Sequence, residues 1–153
     1  MVKTLDPFLI HHLAFVLARK SEQALEERLG IGISQFRILS SIDNNPKYRQ
    51  RDIAEGLNQT EAGISRQMKV MSQQGLLTVA TSSRDHRQHI LKLTPKGKKM
   101  LLAGQDILNS LYDDMQKGMN PKQVQEIVES AKKLHAALCP NGKSCSFPYA
   151  RHA

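Results

Sequence analysis

The sequence predicts a mainly α-helical chain with one small β-hairpin. Apolar residues recur at helical spacing along most of its length, and the period switches to that of a strand only in LLTVAT and HILKL, which flank a basic stretch. The order of elements is the further clue: helix, short break, helix, hairpin, all between long helices at the two ends of the chain.

The first helix carries Leu9, Leu13, Val16 and Leu17, continues through Ala24, Leu25 and Leu29, and is broken by Gly30-Ile31-Gly32. Ser34 is the expected N-cap of the next helix, SQFRILSSID, with Phe36, Leu39 and Ile42 turned inward. Asn44-Asn45-Pro46 ends it, because proline disfavours helical geometry in the residue before it. A short helix in RQRDIAEGL buries Ile53, Ala54 and Leu57. After the break at Asn58-Gln59-Thr60, Thr60 caps EAGISRQMKVMSQQG, whose Ile64, Met68 and Met71 share one face and which Gly75 closes. Beyond the hairpin, one helix is expected from about Pro95 to Lys117. A last one runs from about Pro121 to Leu138, with Val124, Ile127, Val128, Ala131, Leu134 and Leu138 as its apolar positions.

Composition narrows the function classes. The 153 residues suffice for one domain with a real core. No apolar run approaches the roughly 20 residues of a membrane span. The N-terminus contains Asp6, His11 and His12 and reads as a mature helix rather than a signal peptide. Two cysteines make no disulfide framework, so a cytoplasmic location is expected. The formal charge of +8 points to an anionic partner, nucleic acid before a membrane surface. There is no Gly-rich phosphate loop, HExxH or serine elbow, so neither enzymatic activity nor a cofactor is expected.

Helix, break, helix and basic-tipped hairpin together make a winged helix-turn-helix. A second helix presented past a short turn fits a major groove about 12 Å wide. Its outward face here is Thr60, Glu61, Gly63, Ser65, Arg66 and Lys69. Arg66 is the strongest candidate for a base edge, because a guanidinium can bond guanine at two atoms, worth about 1–3 kcal/mol of discrimination. Gln50 and Arg51, opening the preceding helix, are candidate phosphate donors. On the wing tip, Arg84, His86, Arg87 and His89 can reach the narrow minor groove, where negative potential favours arginine. Asp85 is expected to orient a neighbouring arginine by accepting its hydrogen bonds.

At these residues the sequence resembles the MarR family of bacterial transcriptional regulators. RDIAEGLNQTEAGISRQMKVMSQQGLL, followed by SSRDHRQHILKLTPKG, looks like that family's DNA-binding core. The family wing reads roughly D-x-R-D-x-R, an apolar strand, then L-T-x-x-G. Arg84, Asp85 and Arg87 match the wing, and Leu93, Thr94 and Gly97 match its exit, while Ser82 replaces the first aspartate. The resemblance implies a homodimer joined by its terminal helices that binds a pseudo-palindromic site, usually as a repressor. The sequence supports the dimer independently: the terminal helices carry more apolar residues than a small central domain can cover. The expected division is residues 1–33 and 101–153 for dimerisation and 34–100 for DNA binding. The alternative class is a winged-helix protein-interaction module that does not bind DNA.

The resemblance also implies an effector, a small aromatic or anionic molecule between the DNA-binding lobe and the dimer helices. His11, Phe15, Phe36 and Arg37 are candidate lining residues, with plain packing as the competing account. Cys139 and Cys145 follow the last helix. Three accounts stay open for them: an oxidation switch, a metal site with His135, or an inert tail. Cys-x5-Cys is not a standard zinc spacing, and the family's peroxide-sensing cysteine lies in the first helix, where this chain has none. No metal is expected.

Overall fold

The computed structural model describes residues 6–81 and 89–138. Within them the chain forms α1 (Pro7–Leu29), α2 (Ile33–Asn44), α3 (Gln50–Gly56), α4 (Glu61–Gln73), β1 (Leu77–Thr81), β2 (His89–Leu93), α5 (Pro95–Gln116) and α6 (Pro121–Leu138). The strands pair antiparallel, from Leu77 with Leu93 to Thr81 with His89.

Each break has a local cause. Asp6 caps α1 by accepting from the Phe8 N–H at 2.9 Å, and Gly30 ends it in the left-handed region at φ 66°. The next helix starts earlier than the sequence suggests: Gly32, not Ser34, is the N-cap of α2. The reason is tertiary. Glu22 of α1 accepts the Ile33 N–H at 2.6 Å, supplying from another helix the acceptor that a local Ser cap would have provided. Asn45 ends α2 before Pro46, as expected. Gly75, at φ 72°, turns the chain from α4 into the hairpin.

One core joins the central elements. Leu25 of α1, Ile38 and Leu39 of α2, Ile53 of α3, Ile64 and Met71 of α4, and Leu76, Leu77 and Leu91 are essentially inaccessible. Leu101 and Leu108 of α5 belong to the same cluster. The boundary expected at residue 100 therefore falls inside a continuous helix whose next turn is core.

The chain's ends differ sharply from this centre. The first half of α1 buries nothing, and Phe8 is 84% exposed. No residue of α6 is buried, although Ile127, Val128, Leu134 and Leu138 form an apolar stripe along it. No described helix is long and apolar enough to cross a membrane.

Candidate nucleic-acid interface

The unit that presents α4 is built by the turn after α3. Asn58 adopts φ 51°, a left-handed conformation that asparagine tolerates better than most residues. The Gln59 N–H then returns to the Ala54 carbonyl at 2.9 Å, closing α3. Thr60 follows as N-cap of α4, its Oγ1 accepting from the Gly63 N–H at 3.1 Å.

The helix is two-faced. Ile64, Met68 and Met71 are buried, while Thr60, Glu61, Ser65, Arg66 and Lys69 are exposed and Gly63 is half-buried. The sequence thus identified both faces. A side chain at Gly63 would meet Thr60 Oγ1 at 3.1 Å, so glycine keeps this first turn open beside its own cap.

The two candidates on α3 are already engaged. Gln50 Nε2 donates to the Glu61 carbonyl at 3.1 Å, a bond that joins the start of α3 to the first turn of α4. Arg51 Nε donates to Glu55 Oε1 at 2.9 Å in an exposed i, i+4 pair. That hydrogen bond, then the Glu55 charge, then the more distant Glu61 raise the Arg51 pKa above its ordinary value. Glu55 therefore pairs with the guanidinium on the surface and favours its charged form.

The base of the wing is an unusually close joint. Thr94 caps α5, its Oγ1 accepting from the Gly97 N–H at 3.0 Å and donating to the Gly75 carbonyl at 2.6 Å. The Thr94 N–H donates to the Leu76 carbonyl at 3.1 Å. The Leu76 backbone lies so close to Gly97 that an added Cβ would meet its carbonyl carbon at 2.9 Å and the oxygen closer still. The Thr-Pro-Lys-Gly exit thus has a physical reading: the threonine ties the hairpin's end to its beginning, and the glycine lets the two backbones pass. Arg84, Asp85, His86 and Arg87 lie outside the described residues, as do Cys139 and Cys145 and the side chain of His89.

A crevice of about 220 Å³ lies between α1, α2 and α5, lined by Ala14, Leu17, Ala18, Ser21, Ile33, Phe36, Arg37, Leu108 and Tyr112. Of the effector-site candidates, Phe36 and Arg37 line it and His11 and Phe15 do not. On a helix Phe15 is turned about 100° from Ala14, and it stays exposed with the Arg19 guanidinium 5.8 Å from its ring centroid. His11 is also exposed, about one turn before the crevice begins.

Sequence reasoning missed the polar contacts between elements. Gln59 Nε2 donates to Ser34 Oγ at 2.8 Å, and Gln67 Nε2 donates to Gln59 Oε1 at 2.8 Å. Glu22 on the α2 N-terminus is a third. Nothing in spacing marks such bonds, because long side chains reach across elements without leaving a period.

The presented helix, the hairpin and the shared core define a winged helix-turn-helix protein with added terminal helices. Residues 29–88, from the end of α1 to the wing, match the family model described as MarR family. Over this segment, less than half of the chain, the sequence is similar to the MarR family. Solved structures with the same fold cover most of the chain. A mutant form of MarR from E. coli is 19% identical, with 86% of this chain and 98% of that one aligned at a TM-score of 0.77. The transcriptional repressor CouR, bound to a 23-mer DNA duplex, is 19% identical over 85% of this chain and 92% of its own, with a TM-score of 0.75. A MarR family protein of Mycobacterium tuberculosis, in complex with salicylic acid, is 16% identical over 87% and 98%, with a TM-score of 0.70.

Proposed function

We propose that this chain is a sequence-specific DNA-binding transcriptional regulator that works as a homodimer, in the repressor mode usual for its family. The observation that carries the reading is α4, capped by Thr60, locked to the body by Ile64, Met68 and Met71, and offering Ser65, Arg66 and Lys69 outward. Arg66 reads a base edge in the major groove; Thr60, Glu61, Gly63 and Ser65 allow close approach, and Lys69 meets phosphate. The wing residues Arg84, Asp85, His86 and Arg87 carry the minor-groove contact by sequence. Arg51, paired with Glu55 on the surface, is the phosphate donor on α3; Gln50 instead bonds the first turn of α4.

The dimer follows from the uncovered ends. An amphipathic helix with no buried residue, together with an α1 that exposes Phe8, Leu9 and Leu13, needs a partner surface. A second copy offers the same stripe and, by two-fold symmetry, sets two α4 helices about 34 Å apart, one turn of DNA.

The crevice is the candidate effector site. It is smaller than the roughly 300–1,000 Å³ of drug-sized pockets, which suits a one-ring aromatic or anionic molecule. Arg37 is its cationic lining residue and Phe36 its aromatic one.

The test is a fluorescence-anisotropy titration with the DNA upstream of the chain's own gene and a shuffled control, at several salt concentrations. The expected result is strong preference for the native fragment and steep salt dependence, about 0.9 in the log–log slope per neutralised phosphate. Weak, flat binding to both fragments would instead favour a protein-interaction module.

A further inference from the structure

We propose that Gln59 is a positioning residue for DNA recognition: with Ser34 and Gln67 it straps α4 to the first turn of α2 and fixes the rotation at which α4 meets a base pair. This rests on the DNA-binding reading above.

Gln59 occupies the turn between α3 and α4, and its amide uses both of its functions. Nε2 donates to Ser34 Oγ at 2.8 Å while Oε1 accepts from Gln67 Nε2 at 2.8 Å. Gln67 is half-buried on α4, next to Arg66 and between the buried positions Ile64 and Met68. The strap therefore grips α4 on the border between its base-facing and core-facing stripes.

The far end of the strap is itself held. Ser34 follows Ile33, whose N–H is accepted by Glu22 of α1 at 2.6 Å. A side chain at Gly32 would meet Glu22 Oε1 at 2.7 Å, so α1 and the start of α2 are in close contact there. One polar chain thus runs from α1 through the first turn of α2 to α4, and Ile33, on that turn, also lines the crevice.

The physical division of labour is direct. Apolar burial of Ile64, Met68 and Met71 sets which face of α4 meets the core, but it is non-directional and leaves the finer rotation to other contacts. Hydrogen bonds are directional and do fix rotation. A two-point bond from arginine to guanine depends on that rotation, while phosphate contacts by flexible lysines depend on it far less.

The experiment measures anisotropy with the native upstream fragment and its shuffled control for wild type, Gln59→Ala, Ser34→Ala and Ser34→Thr, with a melting curve for each. The exposed bonds contribute little to stability, so all four melt alike. Gln59→Ala and Ser34→Ala are expected to lose about three- to tenfold of the preference for the native fragment, the size of one hydrogen bond. Binding to the shuffled control is unchanged, and Ser34→Thr, which keeps the hydroxyl, restores the preference. Full preference in Gln59→Ala, equal losses on both fragments, or no recovery in Ser34→Thr would overturn the proposal. If wild type itself shows no preference, it is the DNA reading that fails. The strap is then judged by amide hydrogen exchange in the first turns of α4: faster exchange in Gln59→Ala supports it and unchanged exchange overturns it.

Discussion

Replacing Gly97 by alanine tests the joint at the base of the wing. A Cβ there would face the Leu76 carbonyl carbon at 2.9 Å, and the obstacle is backbone rather than a side chain that can swing away. Relief requires α5 to move off the α4–β1 turn, which strains the bonds of Thr94 to the Leu76 carbonyl at 3.1 Å and to the Gly75 carbonyl at 2.6 Å. Overpacking of this kind costs about 1–3 kcal/mol, and each hydrogen bond contributes about 0.5–1.5 kcal/mol net. Alanine recovers at most about 1 kcal/mol of helix propensity, and less in a first turn. The net expectation is a loss of about 2–4 kcal/mol, a large part of a typical stability of about 5–15 kcal/mol. With a urea slope of about 2 kcal/mol/M, the unfolding midpoint falls by about 1–2 M. Protein concentration must be held constant, because the proposed dimer would contribute to the midpoint. Gly118→Ala is the control: nothing lies within 4 Å of its added Cβ, so its midpoint should match wild type. A Gly97→Ala midpoint equal to or above wild type would refute the reasoning.

Other perturbations separate the remaining ideas. Gly104→Ala places a Cβ 2.7 Å from the Phe36 ring, so the ring must shift beside the crevice; a stability loss of about 0–2 kcal/mol after the helix-propensity gain is expected by urea denaturation, and a clear increase would show that the ring has room. Arg66→Ala should lower affinity and relax base preference by about 1–3 kcal/mol at one position, read from single-base variants of the operator. Arg87→Ala should weaken binding to all sequences more than it relaxes preference, and undiminished binding would remove the wing argument. Changing Ile127 and Val128 together to glutamate should give monomers in sedimentation analysis and shallower salt dependence, since each monomer neutralises fewer phosphates.

The two faces of α4 were legible in the sequence because Ile64, Met68 and Met71 follow the helical period, and a period survives any tertiary arrangement. The Thr60 cap was legible for a similar reason, being a bond across three residues. Ser34 shows the limit. It has the composition of an N-cap, yet the helix begins at Ile33 because Glu22, eleven positions earlier, supplies the acceptor. Phe15 shows another: its type suits a ligand pocket, but only the packing of α1 on α5 decides that Ala14, Ala18 and Ser21 face the crevice and Phe15 faces out.

By itself the sequence determined the elements, their apolar faces, the positive charge and the likeness of residues 29–88 to the MarR family. These rest on spacing and composition, which are properties of the chain alone. Tertiary structure decided what depends on two separate segments meeting: the Gln59 strap, the engagement of Gln50 with Glu61, and the close pass of Leu76 over Gly97. Those contacts follow from how the helices stack, and no local pattern encodes the stacking.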